Sequence, residues 1–141
     1  MKNTLTAGAS LTRPIEIDRE RTIDFMGDAL RVYATPFMVR DVEQTCRELL
    51  RPHHDPGEDS VGARVEIDHL GPTLLGQTVQ VSARVAELAL PRIVFEVEVR
   101  DEADRVGRAR HVRFVVDSGR QEERLRKKAE RVKAARSGGA R

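Results

Sequence analysis

The chain has 141 residues, enough for one compact domain and too few for two of ordinary size. Its single cysteine, Cys46, excludes an internal disulfide framework and any multi-cysteine metal centre. The net charge of +2 conceals an asymmetry. Arg120 to Arg141 carries nine Lys and Arg against three Glu, while the preceding residues carry sixteen basic and twenty acidic side chains. With no Trp, one Tyr and four Phe, the core falls to Val, Leu, Ile and Ala. No apolar run approaches the roughly 18 residues of a membrane span. Met1 to Ser10 lacks the apolar stretch of a signal peptide, so a cytoplasmic location is the default expectation.

In chain order, Leu11 to Ile17 reads as a short strand. Asp18 to Leu30 mixes charge with Ile23, Phe25 and Met26 without a clean period, and reads as an irregular lid or short helix. Thr35-Pro36 opens a helix, with Thr35 placed as N-cap and Pro36 at the first helical position. Met38, Val39, Val42, Cys46, Leu49 and Leu50 then recur at three- and four-residue spacing, and Pro52 stops the pattern, which predicts a helix over Pro36 to Leu50. His53 to Asp59 is a polar loop with a Pro56-Gly57 turn.

The period then changes to two. Ala63, Val65, Ile67 and His69 share one face of a strand, with Arg64, Glu66 and Asp68 on the other. Val79 to Val85, Ile93 to Val99 and Val106 to Val116 give three more strands joined by short polar segments, the signature of an antiparallel sheet. Ser118 with Gln121 resembles a capping box for a last helix striped by Leu125, Ala129 and Val132. The expected fold is α+β, an antiparallel sheet around one central helix, over 1–119. A basic C-terminal helix or tail follows over 120–141. One helix, apolar on one face, has only that sheet to bury against, which is the hot-dog architecture.

Two polar residues interrupt the apolar pattern. Glu43 borders the helix stripe, where a partly desolvated carboxylate needs a partner. His69 continues the inward strand series. With Thr35 at the helix start, a hydroxyl, a carboxylate and an imidazole edge one helix–sheet interface, a set suited to acyl-group chemistry. Each has a plain structural reading as well: Thr35 as a cap, Glu43 as a stripe-edge surface residue, His69 as a hydrogen-bonded core histidine. His111 and Arg113 share a face with Ala109 and Val115, which fits either a binding site or an exposed strand edge. No His or carboxylate set has metal-ligand spacing and no glycine-rich phosphate loop follows a strand, so neither metal nor cofactor is expected.

The stretch Val32-Tyr33-Ala34-Thr35-Pro36-Phe37-Met38-Val39, followed by Glu43, Gly62, His69, Pro72 and Gly76, resembles the fluoroacetyl-CoA thioesterase family of hot-dog proteins. That family carries a V-[FY]-A-T-x-x-M-V segment, a Glu eight residues after its Thr, a Gly seven residues before its His, and an Arg on the last strand. The resemblance spans about residues 10 to 120 and places those roles on Thr35, Glu43, Gly62, His69 and Arg113. It implies thioester hydrolysis by Thr35, Glu43 and His69 acting as a unit, and leaves open whether Thr35 or Glu43 attacks. It also implies acyl-CoA sites at the interface of a homodimer or higher homo-oligomer. The family's lid phenylalanines fall here on Met26 and Ala29, with Phe25 out of register, so a different short or medium acyl group is expected.

Two other readings fit the same fold: a non-catalytic acyl-CoA or acyl-carrier binding module, and an enoyl-CoA hydratase or dehydratase, which the Thr–Glu–His spacing fits less well. A nucleic-acid partner for the tail is not expected, because the tail has no aromatic residue to stack on a base. A membrane partner is not expected either.

Overall fold

The computed structural model describes residues 1–139; the last two positions of the basic tail, Ala140 and Arg141, lie outside the described residues. The elements run β1 (Ser10–Glu16), β2 (Thr22–Ile23), β3 (Val32–Tyr33), α1 (Thr35–Leu50), β4 (Glu58–His69), β5 (Thr78–Ala89), β6 (Arg92–Arg100), β7 (Arg105–Asp117) and α2 (Ser118–Gly139). Five strands form one antiparallel sheet in the order β1-β5-β6-β7-β4, and β2 pairs with β3 as a separate ribbon.

α1 lies on the inner face of the sheet. Met38, Val42, Cys46, Leu49 and Leu50 are buried, as the helical period predicts, in one core cluster with Val79, Val81 and Val85 of β5 and Phe95 and Val99 of β6. The same face also buries Asp41 and Thr45, which the apolar pattern passed over. Thr45 satisfies its hydroxyl within the helix, donating to the Asp41 carbonyl at 2.7 Å. Gly107 lets α1 approach β7 closely: a Cβ there would lie 2.7 Å from Met38 Sδ.

Helix and strand ends differ from expectation in physical detail. The N-cap of α1 is Ala34, not Thr35, and Thr35 is the first helical residue. α2 is capped by Asp117, whose carboxylate accepts from the Arg120 N–H at 2.9 Å, rather than by a Ser118–Gln121 box. β4 begins at Glu58, so the loop after Pro52 is a single tight turn over Arg51–His53 followed by a short stretch ending at Gly57 (φ 82°).

β4 also carries a bulge. Gly62 pairs with Arg113 and Arg64 with Val112, which leaves Ala63 as an extra residue. The inward series is therefore Gly62, Val65, Ile67 and His69, facing Arg113, His111, Ala109 and Gly107 of β7. An uninterrupted two-residue period would have turned Gly62 outward.

The segment between β1 and α1 is the lid. It consists of two short 3₁₀ turns, Arg19–Arg21 and Asp28–Leu30, around the β2–β3 ribbon. Its base is clamped to α1. Arg21 donates from Nε and Nη2 to the two Asp41 carboxylate oxygens at 2.9 and 3.0 Å, and the Tyr33 hydroxyl donates to the same carboxylate. Asp41 and Tyr33 are each 1% exposed. Asp41→Ala would strand the buried Tyr33 hydroxyl and the Arg21 guanidinium, an expected loss of about 3 kcal/mol. Urea denaturation of the variant checks this; a loss within experimental error would show that the clamp does not hold the lid base.

Candidate active site

The sequence-predicted residues fall into two groups at different heights along α1. The first lies at the helix start. Thr35 Oγ1 and His69 Nδ1 are 2.7 Å apart. Because Ala34 occupies the cap position, the Thr35 hydroxyl is committed to the imidazole rather than to a backbone amide. Burial lowers the His69 pKa, with a hydrogen bond from the ring to the Gly71 backbone carbonyl working the other way. The neutral imidazole can therefore accept the Thr35 proton. The Tyr33 ring stands edge-on to His69, with centroids 6.2 Å apart.

The second group surrounds Gly62. A point one Cβ bond above its backbone lies 3.2 Å from His111 Cε1, 3.4 Å from Glu43 Oε1 and 3.5 Å from Arg113 Nη1. Any larger residue would fill that space. Arg113, 5% exposed, is held from several sides. Its Nε donates to Ser60 Oγ and its Nη2 to the Ser60 carbonyl, each at 2.8 Å, while Nη1 lies 3.2 Å from His111 Nε2. His111 is fully buried, stacked on Phe95, with Nδ1 donating to the Arg64 carbonyl at 2.8 Å. That bond fixes the tautomer, so Nε2 accepts from Arg113. Burial works against the Arg113 charge, and the nearby Glu43 carboxylate works in its favour.

His111 and Arg113, which the sequence pattern left between a binding site and an exposed edge, are thus inward and buried. Ser60 went unnoticed because its period-two position carries no signal of what it binds. Cys46 is a buried core thiol whose pKa is pushed up to about 12 by burial.

Within one chain the two groups do not meet. Thr35 and Glu43 are eight residues apart on a helix, a rise of about 12 Å. His69 ends β4, and Gly62 lies seven positions earlier on the same strand. Met26 lies on the lid tip and Ala29 in the turn after it, both exposed and touching neither group's hydrogen bonds. A larger groove of about 840 Å³ lies on the opposite face of the sheet, where Arg84, Arg108 and Arg110 are countered by Glu66, Asp68 and Glu96. It is separated from both groups by the sheet itself.

The profile of the fluoroacetyl-CoA-specific thioesterase family, FlK, matches residues 17–119. The chain belongs to that family of hot-dog thioester hydrolases. It is 28% identical over 123 residues to the fluoroacetyl-CoA thioesterase of Streptantibioticus cattleyicolor, covering 82% of this chain and 88% of the relative. A thioesterase superfamily member from Thermus thermophilus superposes with a TM-score of 0.85 at 29% identity, over 94% of this chain and 98% of that one. A structure of the fluoroacetyl-CoA thioesterase FlK superposes at 0.82 with 26% identity, over 89% and 98%. No described helix is long and apolar enough to cross a membrane.

Burial holds His111, and in the same direction His69 and His54, below the 6.5 of a free imidazole. As pH falls, the unfolded chain takes up these protons first. The stability is therefore full above about 6.5 and declines as pH drops toward the lower folded values. Urea midpoints taken from about pH 7.5 down to 5.5 are expected to fall, and His111→Gln is expected to flatten the slope. An unchanged slope in that variant would mean that His111 is not a buried neutral group.

Proposed function

We propose that the protein hydrolyses a short or medium acyl-CoA to a carboxylate and CoA, as a homodimer, through Thr35, Glu43 and His69. The observation that carries this reading is the convergence of the Glu43 carboxylate and the Arg113 guanidinium, beside the His111 ring, on the bare backbone of Gly62. A thioester carbonyl brought against the bare Gly62 backbone meets a cation suited to its developing oxyanion and a carboxylate suited to activating water. The Thr35–His69 pair supplies a hydroxyl with a base in contact. In this scheme His69 takes the Thr35 proton as the hydroxyl attacks the thioester carbon, and returns it to the departing CoA thiolate. Water activated by Glu43 then releases the acyl group from Thr35.

Completing that set needs a second copy. β4 is an outer strand of the sheet, twelve residues long, with Val65 and Ile67 only half-covered and Val61 exposed. Such an edge favours pairing with another strand. Two-fold antiparallel pairing of β4 with its own copy exchanges its ends. The Thr35–His69 group of one protomer then faces the Gly62–Glu43–Arg113 group of its partner. The exposed lid residues Phe25, Met26 and Ala29 offer no closed aromatic gate, which supports a substrate other than fluoroacetyl-CoA.

Thiol release from a panel of short- to medium-chain acyl-CoAs tests the activity. His69→Ala is expected to lower kcat by about 100-fold or more, and a folded dimer inert on the whole panel would favour the non-catalytic module. Mixing tests the shared site. Thr35→Ala and Glu43→Gln proteins, each inactive, are expected to regain up to about a quarter of wild-type activity after subunit exchange, since half the dimers are mixed and each holds one intact site. No recovery despite exchange would place the whole site in one chain.

A further inference from the structure

α2 is a 22-residue helix that the domain barely covers: Leu125 is 63% exposed and most of its side chains stand in solvent. Its first turns nevertheless border a groove of about 550 Å³, formed with Arg47, Val61, Val116 and the Gly62–Arg113 corner. Ser118, Glu122 and Leu125 face that groove. At helical spacing the same face continues through Ala129 and Val132 to Arg136, with Lys128 and Lys133 on its flanks. Leu125 to Arg136 spans about 16 Å of helix.

The charge is concentrated at the far end. From Arg124 to Arg136 there are seven cations and one anion. Arg126 and Lys127 are paired with Glu122 and Glu123. Among the described residues Lys128, Lys133 and Arg136 make no ion pair. The groove thus starts at the Gly62–Arg113 corner and reaches Leu125, and the helix face beyond it carries Ala129 and Val132 and ends on unpaired cations. A CoA thioester has the same order: a reactive carbonyl, a slender arm, and an adenosine nucleotide carrying several phosphates.

We propose that this face of α2 binds the phosphorylated nucleotide end of the CoA thioester, with Lys128, Lys133 and Arg136 contacting the phosphates and Leu125 and Val132 lying beside the arm. The assignment rests on the acyl-CoA reading of the Gly62 site. The phosphates lie far from the reacting carbon, so these cations strengthen binding and leave the chemical step alone.

The test compares the full chain with a Lys128→Glu/Lys133→Glu/Arg136→Glu variant on two substrates, an acyl-CoA and the same acyl group on N-acetylcysteamine, which has no phosphates. Binding of 3′,5′-ADP is measured alongside by calorimetry. The expected result is a KM for acyl-CoA raised at least about tenfold with kcat held, an N-acetylcysteamine substrate turned over at the wild-type rate, and 3′,5′-ADP binding lost. Equal KM values and unchanged 3′,5′-ADP binding would overturn the proposal while leaving the hydrolase reading intact. Loss of 3′,5′-ADP binding in a protein that hydrolyses neither substrate would support it and overturn the hydrolase reading instead. A fall in solution mass with both substrates affected would make the α2 face an interface between copies. Loss of a fluorescent oligonucleotide with 3′,5′-ADP binding retained would make it a nucleic-acid surface. Either of these last results overturns the proposal.

Discussion

The position of α1 against the inner face of the sheet decides nearly everything else in this molecule. Met38, Val42, Cys46, Leu49 and Leu50 pin the helix against the sheet, nearest β5, and Gly107 lets it sit close to β7. One helix cannot cover five strands. The covered strands form a dry core of aliphatic side chains, while the inner face of β4 is left half-open along its length. The polar residues on the margin of α1 then have somewhere to point. Thr35 reaches His69 at one end of β4, and Glu43 reaches the space over Gly62 toward the other. The site is a by-product of incomplete coverage, furnished with side chains that a complete core would exclude.

Around the Gly62 corner the buried polar groups are fully engaged with one another. Arg113 is oriented by both the hydroxyl and the carbonyl of Ser60 and by the lone pair of His111, which is itself fixed by the Arg64 carbonyl. A guanidinium held this way does not have to reorganise when charge develops beside it, which is the property that makes a fixed cation effective. The bulge at Ala63 is part of the same construction. It turns Gly62 onto the inner face, and its glycine keeps open the volume that Glu43 and Arg113 look into.

The sheet, the central helix and their order were legible because each depends on a periodic apolar pattern, and periodicity survives in a single sequence. The family resemblance rested on spacing, and it located Thr35, Glu43 and His69 on the elements where they stand. What the sequence hid were interactions without a period. Asp41 and Thr45 sit on the buried face of α1 because they have specific partners, which hydropathy cannot register. The parity of β4 pointed Gly62 the wrong way because a bulge adds one residue without a compositional mark. Capping was misplaced at both helices for a shared reason: Ser and Thr near a helix start are capping candidates, but the geometry chose Ala34 at one end, freeing Thr35 for His69, and Asp117 at the other.

The clamp at Asp41 divides the lid into two parts with different freedoms. The base, through Arg21 and Tyr33, is welded to the helix that organises the core, so a change there is felt by the whole fold. The tip, with Phe25, Met26 and Ala29, lies in solvent beyond the clamp and supports none of the packing. Its side chains can be exchanged without a toll on stability. The tip can therefore be rewritten among descendants of one scaffold while the clamp and the core stay constant.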